Sequence, residues 1–177
     1  MNKTNIKRRL RRTFSALAIV GALFTSPKAQ ADTLAPAHGY STDCENLISE
    51  HHVGPNTIIV LSITATFSGT FDGTWVGTER DVINHDRSGR AQGSGVFTGS
   101  VHLNGSLRSG TMIFSYLVTF APNGTEVTHW VVDQGTGELA GLHGQGTNPS
   151  AEELGPTDVC TWDRFTLEYA GQIQFAP

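Results

Sequence analysis

Residues 57–175 alternate apolar and polar side chains with a period of two, and turn residues interrupt the alternation at short intervals. Ile59, Leu61, Ile63, Ala65, Phe67 and Phe71 alternate with Val60, Ser62, Thr64, Thr66, Ser68 and Thr70, the pattern of a strand with one dry face. Asp72-Gly73 predicts a hairpin turn into a second strand over 74–83. A polar link over 84–93 leads to a third strand over 94–102. Asn104-Gly105 predicts another tight turn before a strand over 111–121, with Met112, Phe114, Tyr116, Val118 and Phe120 on one face. Pro122-Asn123-Gly124 turns the chain into 125–133. Residues 147–158 read as a long acidic surface loop, and 163–175 as the last strand. The stretch 129–146 carries two glycine clusters around Glu138-Leu139-Ala140-Gly141-Leu142, which suits backbone bending sharply between paired strands.

No segment after residue 31 sustains a helical period. Seven or eight strands without helices, in a domain of this length, form a barrel or a sandwich. Long first and last strands would be unprotected edges in an open sheet. The expectation is therefore an all-β fold: a closed antiparallel β-barrel of about eight strands.

The first 31 residues are of a different kind. Lys3, Lys7, Arg8, Arg9, Arg11 and Arg12 precede an apolar run over 14–24 and a small-residue site, Ala29-Gln30-Ala31. This is the layout of a secretory signal peptide cleaved after Ala31, with an apolar run too short to span a membrane. Arg11-Arg12-Thr13-Phe14 also resembles a twin-arginine export signal, although Leu10 stands where a polar residue is usual. The domain reading is then a signal peptide over 1–31, an irregular N-terminal arm over 32–56, and the barrel over 57–177.

Removing residues 1–31 removes every lysine and leaves five arginines against all 16 acidic residues. A chain so acidic lacks the positive patch that nucleic acid or an anionic membrane surface requires, so neither is an expected partner. Cys44 and Cys160 are the only cysteines, and an even pair in an exported chain is most simply a disulfide.

The common catalytic and cofactor patterns are missing. There is no G-x-S-x-G elbow, no H-E-x-x-H and no phosphate-binding loop. Gly135-Thr136-Gly137 with Gly141 has the wrong spacing for a dinucleotide loop, so no cofactor is expected. His51 and His52 are adjacent, point to opposite sides of an extended chain and have no third ligand at a recognisable spacing, so no metal site is expected either.

Candidate site residues therefore come from the lumen. Phe67, Phe114, Tyr116 and Trp130 would surround a small apolar ligand. Trp75, Glu79 and Asp81 share one face of their strand. If that face points inward, low dielectric and mutual repulsion would raise a carboxyl pKa and create an acid or base. Ordinary burial statistics favour the opposite choice, with both acids in solvent and Val76, Thr78 and Val82 facing the core.

Five pieces in order carry a family resemblance: Thr66-Phe67-Ser68-Gly69-Thr70-Phe71; Gly95-Val96-Phe97-Thr98-Gly99; residues 110–114; Gly135-Thr136-Gly137-Glu138-Leu139-Ala140-Gly141-Leu142; and Phe165-Thr166-Leu167-Glu168-Tyr169. The series resembles a bacterial family of unknown function assigned to the allene oxide cyclase-like, calycin-like barrel fold. Plant cyclases of that fold steer ring closure of a reactive fatty-acid epoxide, and the related dirigent proteins steer radical coupling. None of the cyclases' catalytic residues matches a position here. Plant relatives assemble as trimers, so an oligomer is compatible with the resemblance, but no residue demands one.

Three functions follow as expectations: a barrel binding a small apolar ligand, ranked first; a cyclase or isomerase acting on a reactive apolar substrate; and a structural surface module whose barrel is filled by its own side chains. An inward carboxylate favours catalysis, a wholly apolar cavity favours binding, and no cavity favours the structural role.

Overall fold

The structure is a computed structural model that describes residues 33–176. The expected signal peptide lies outside the described residues. Eight strands follow one another: β1 (Ala35–Val53), β2 (Asn56–Gly69), β3 (Phe71–Ile83), β4 (Gly89–Leu103), β5 (Ser106–Phe120), β6 (Glu126–Gly137), β7 (Leu142–Glu153) and β8 (Asp163–Phe175). Each pairs antiparallel with its sequence neighbours, and β1 pairs with β8, so the sheet closes into a barrel. Closure leaves no bare edge.

Two expectations are corrected. Residues 32–56 are not an irregular arm, because 35–53 form β1, the strand that closes the barrel between β2 and β8. The inward positions of β1 are Ala35, Ala37, Gly39, Ser41, Asp43 and Glu45. They alternate correctly, but they are small or acidic and give no apolar signal. The loop expected over 147–158 is also shorter, since β7 continues to Glu153.

The hairpin expected at Asp72-Gly73 is displaced as well. The chain turns at Thr70, and Asp72 and Gly73 already belong to β3, with Phe67 opposite Gly73. The buried Thr70 side chain accepts a 3.0 Å hydrogen bond from the His38 N–H, which ties this corner to β1. Asn104 and Gly105 do form the expected tight turn, with φ of 49° and 79°.

Inward residues divide the barrel in two along its axis. The half holding the β2–β3, β4–β5 and β6–β7 turns is filled with Phe71, Phe97, Val101, Leu103, Met112, Val132 and Ile173. Leu139 and Leu142, from the glycine-flanked β6–β7 turn, are fully buried and cork that end. Phe67, Phe71, Phe114, Trp130 and Tyr169 meet ring to ring at 5.3–6.4 Å. Edge-to-face and offset contacts of this kind add to the area that each ring buries.

Wide rings fit because glycines lie beneath them. A Cβ at Gly77 or Gly95 would overlap the Trp75 ring, and one at Gly146 or Gly171 the Trp130 ring. Outward positions are rich in Thr and Ser, as in Thr64, Thr66, Ser68, Thr74 and Thr78.

The expected disulfide is present. Cys44 and Cys160 are joined across a sequence separation of 116, with Cα atoms 5.0 Å apart. It pins the β7–β8 connection to the outer side of β1. Asn46 adds to the anchor by accepting hydrogen bonds from the Thr161 N–H (2.9 Å) and hydroxyl (2.8 Å). The Trp162 N–H donates to the Glu45 carbonyl at 3.0 Å.

Candidate functional site

The other half of the barrel is not filled. A cavity of about 530 Å³ runs from the aromatic cluster toward the end that carries the β1–β2, β3–β4, β5–β6 and β7–β8 connections. Its floor is apolar: Leu61, Ala65, Phe67, Trp75, Phe114 and Tyr169. Its upper wall combines Tyr116, Val118, Phe120, Trp162 and Phe165 with a collar of carboxylates.

Strand alternation builds that collar. On β1 it places Asp43 and Glu45 inward, and on β3 it places Glu79 and Asp81 inward in line with Trp75. Glu126, Glu153 and Asp163 come from the ends of β6, β7 and β8. Among the described residues, no lysine, arginine or histidine lines the cavity.

The inward setting of Glu79 and Asp81 overturns the burial-based preference. Each is 8% exposed, whereas Val76 is 58% exposed. Turning the chain at Thr70 pairs odd with odd residues between β2 and β3, so Trp75, Glu79 and Asp81 must share the inner face with Leu61, Ile63 and Ala65.

Of the residues expected to contact a ligand, Phe67, Trp75, Glu79, Asp81, Phe114 and Tyr116 all line the cavity. Trp130 does not. It lies beneath the floor, stacked on Phe114 at 5.6 Å, and its indole N–H donates to the Thr147 carbonyl at 3.1 Å. The sequence reading missed Asp43, Glu45, Glu126, Trp162, Asp163 and Tyr169. For Asp43 and Glu45 the signal was the period-two run in β1. For Tyr169 it was the odd face of the last strand.

A row of neighbouring residues crosses the cavity wall. Leu61, Glu79, Gly93 and Tyr116 are successive cross-strand neighbours. A Cβ at Gly93 would overlap the Tyr116 ring, so the bare glycine lets that ring lie against the wall. From there the Tyr116 hydroxyl interacts with the Glu79 carboxyl, which in turn interacts with that of Asp81. Trp75 packs against Tyr116 at 5.9 Å, and its indole N–H donates to the Phe114 carbonyl at 3.0 Å.

This environment holds protons. Burial, then repulsion from Asp81, raises Glu79 well above the carboxylate range, and burial raises Asp81 too. Both carboxyls are therefore raised together, and the pair holds a proton that two separate surface carboxylates would have lost. Burial pushes Asp43 to about 6, against a hydrogen bond from Ser41. Burial, then the charges of Asp43 and Asp81, pushes Glu45 to about 8. Tyr116 is pushed well above the phenol range by burial and by Glu79. One oxygen each of Asp43 and Asp81 is sealed from solvent and has no hydrogen-bond partner.

Comparison with known proteins places the chain. Residues 43–157 match the family described as protein of unknown function, DUF3224. The chain belongs to the DUF3224 family. That membership is the kind of family its sequence resembles, and it gives the fold without an activity. A solved DUF3224 structure from Shewanella oneidensis, itself of unknown function, superposes with a TM-score of 0.61 at 18% identity, covering 81% of this DUF3224 chain and 98% of that one. At that identity the likeness shows the shared fold. The pterocarpan synthase dirigent protein aligns with a TM-score of 0.48 at 13% identity, over 84% of this chain and 93% of that one. No curated protein matches this DUF3224 sequence.

Proposed function

We propose that this DUF3224 protein is an exported barrel that binds a small molecule in its lumen, with the molecule's apolar body on the aromatic floor. The observation that carries this reading is the cavity of about 530 Å³ between the packed half of the barrel and its carboxylate-ringed end. That volume is in the range of small-molecule sites, and an apolar lining with a few polar groups is their usual composition. The signal-like leader and the Cys44–Cys160 disulfide support export. Outward threonines and serines on β2 and β3 suit a barrel surrounded by water. The filled-barrel alternative finds support only in the corked half.

A second reading, a cyclase or isomerase, is favoured by one arrangement: Glu79, its pKa raised by burial and by Asp81, beside Tyr116 at the wall of the cavity. A carboxylic acid kept neutral there can donate a proton or a hydrogen bond to a substrate oxygen.

Native mass spectrometry of the protein taken from its own exported fraction, followed by denaturing extraction, tests the first reading. A discrete bound small molecule is expected. An empty protein whose melting temperature does not respond to fatty acids, terpenoids, phenolics or hydrophobic amines would refute it. Glu79→Gln separates the two readings, because a binding barrel keeps its ligand in that variant while an acid catalyst loses turnover.

A further inference from the structure

We infer that the lumen selects an organic cation: a protonated or quaternary amine whose apolar body rests on the aromatic floor while its charge sits in the carboxylate collar. The inference rests on the lumen being the ligand site and narrows the chemistry of what enters it.

The argument begins from a mismatch. An interior built for a neutral apolar ligand has no use for charged side chains, which are costly to bury unless paired. Among the described residues, this one is lined by seven carboxyl side chains, contributed by β1, β3, β6, β7 and β8, and by no lysine, arginine or histidine. Asp81 is 8% exposed, lines the cavity and has an oxygen with no hydrogen-bond partner. Asp43, on β1 just across β2, also lines the cavity with an unpartnered oxygen. Buried polar atoms are normally satisfied, so two cavity-lining carboxyls that each keep a sealed, unpartnered oxygen carry a polarity that the protein itself does not compensate. A cation in the lumen is the group that would compensate it.

The aromatic residues point the same way. Trp75, Tyr116 and Trp162 line the same space as the carboxylates, and the faces of such rings attract ammonium groups. A metal ion fits less well. Among the described residues no three His, Cys, Asp or Glu side chains converge as a metal would need. Carboxylates spread around an apolar wall suit a bulky charge with a hydrocarbon body.

Proton balance gives the inference a signature. The groups facing the bound charge are the carboxyls of Asp43 and Glu45 on β1, Glu79 and Asp81 on β3, Glu126 on β6, Glu153 on β7 and Asp163 on β8, with the hydroxyls of Tyr116 and Tyr169. Asp43 and Glu45 hold their protons to about 6 and about 8 in the empty lumen. A cation beside them favours the carboxylate, so each carboxylic acid that ionises releases one proton to the buffer.

Isothermal titration of the disulfide-bonded protein at pH 7 with phenylbutylammonium, its neutral partner phenylbutanol and the anion phenylbutyrate tests this. The ammonium is expected to bind about tenfold or more tightly than the alcohol, in line with a desolvated cation meeting carboxylates and rings. Its heat should vary with the ionisation enthalpy of the buffer in the sense of proton release, and that of the alcohol should not. In Asp43→Asn/Asp81→Asn the preference should fall below about threefold while the alcohol binds as before. Circular dichroism melts verify that this variant is folded, and the buffer dependence in the unaltered protein serves if it is not. Alcohol binding as tightly as ammonium, or a preference untouched in the folded variant, would overturn the cation inference and leave the lumen reading standing. Binding of none of the three would overturn both.

Discussion

The carboxylate collar should make this barrel more stable in mild acid than at alkaline pH, the reverse of what paired surface carboxylates produce. In the unfolded chain Asp43 and Glu45 lose their protons near their ordinary values of 3.8 and 4.5, whereas in the folded barrel they hold them to about 6 and about 8. Between those limits the folded state binds more protons, so stability is full below about pH 4 and is lost progressively as the pH rises toward 8. Each factor of ten in proton affinity is worth about 1.4 kcal/mol, so Asp43 alone would cost about 3 kcal/mol at full value. Water entering the open lumen screens the group, and we reduce this to about 1–2 kcal/mol. With a similar share from Glu45, the loss between pH 5 and pH 8 is about 2–4 kcal/mol, a large part of the 5–15 kcal/mol typical of a domain. In melting temperature that is roughly 5–15 °C for a chain of this size. Urea denaturation followed by tryptophan fluorescence from pH 4.5 to 9, with the disulfide intact, measures it directly. Asp43→Asn/Glu45→Gln should flatten the profile by raising its alkaline limb. A stability that is level or rising from pH 5 to 8 would show that these carboxyls are hydrated and ionise freely in the folded state, and the electrostatic reading of the lumen would be wrong.

Three further outcomes follow from the geometry. Reduction of Cys44–Cys160, or Cys44→Ser/Cys160→Ser, frees a loop of more than 100 residues in the unfolded chain and should cost about 4–5 kcal/mol, read as a fall in the urea midpoint. Gly93→Ala puts a methyl into the space of the Tyr116 ring and should cost about 1–3 kcal/mol. It should also part Tyr116 from Glu79 and bring the Tyr116 ionisation down toward the ordinary phenol range in an ultraviolet pH titration; an unchanged titration would show that the two are not coupled. Phe114→Ala removes a ring that packs on Phe67, Phe71 and Trp130 and should cost about 3–5 kcal/mol in thermal or urea unfolding.

Much of the barrel could be read from the chain because its signals are local. The alternation in 57–71 needs no partner to show which residues are dry, and Asn104-Gly105 names its own turn. The disulfide needed only a count of two cysteines behind an export-like leader. β1 was lost for the opposite reason. Its inner face is Ala, Ala, Gly, Ser, Asp and Glu, chosen for a cavity wall and for the closeness of Tyr169, whose ring a Cβ at Gly39 would strike. A strand that lines an open lumen need not look apolar, so hydrophobic periodicity underreports it.

The inward acids turned on a single register. A two-residue turn at Asp72-Gly73 would set Phe71 against Thr74, pair odd with even residues, and send Val76, Thr78 and Val82 into the core. The actual turn at Thr70 sets Phe67 against Gly73 and reverses every side chain of β3. The sequence held a clue that statistics of burial do not use. Gly73, Gly77, Gly93, Gly95 and Gly99 all carry odd numbers on β3 and β4, and glycine at alternate positions marks a face where large rings lie against the sheet. Trp75 is the odd-numbered ring between Gly73 and Gly77, so its face is the inner one, and Glu79 and Asp81 two and three pleats further must follow it in. The same spacing that makes room for Trp75 and Tyr116 thus commits two carboxyls to the lumen. This is why the chemistry of the site is inseparable from the packing that forms its floor: moving the acids back to solvent would require moving the tryptophan out with them.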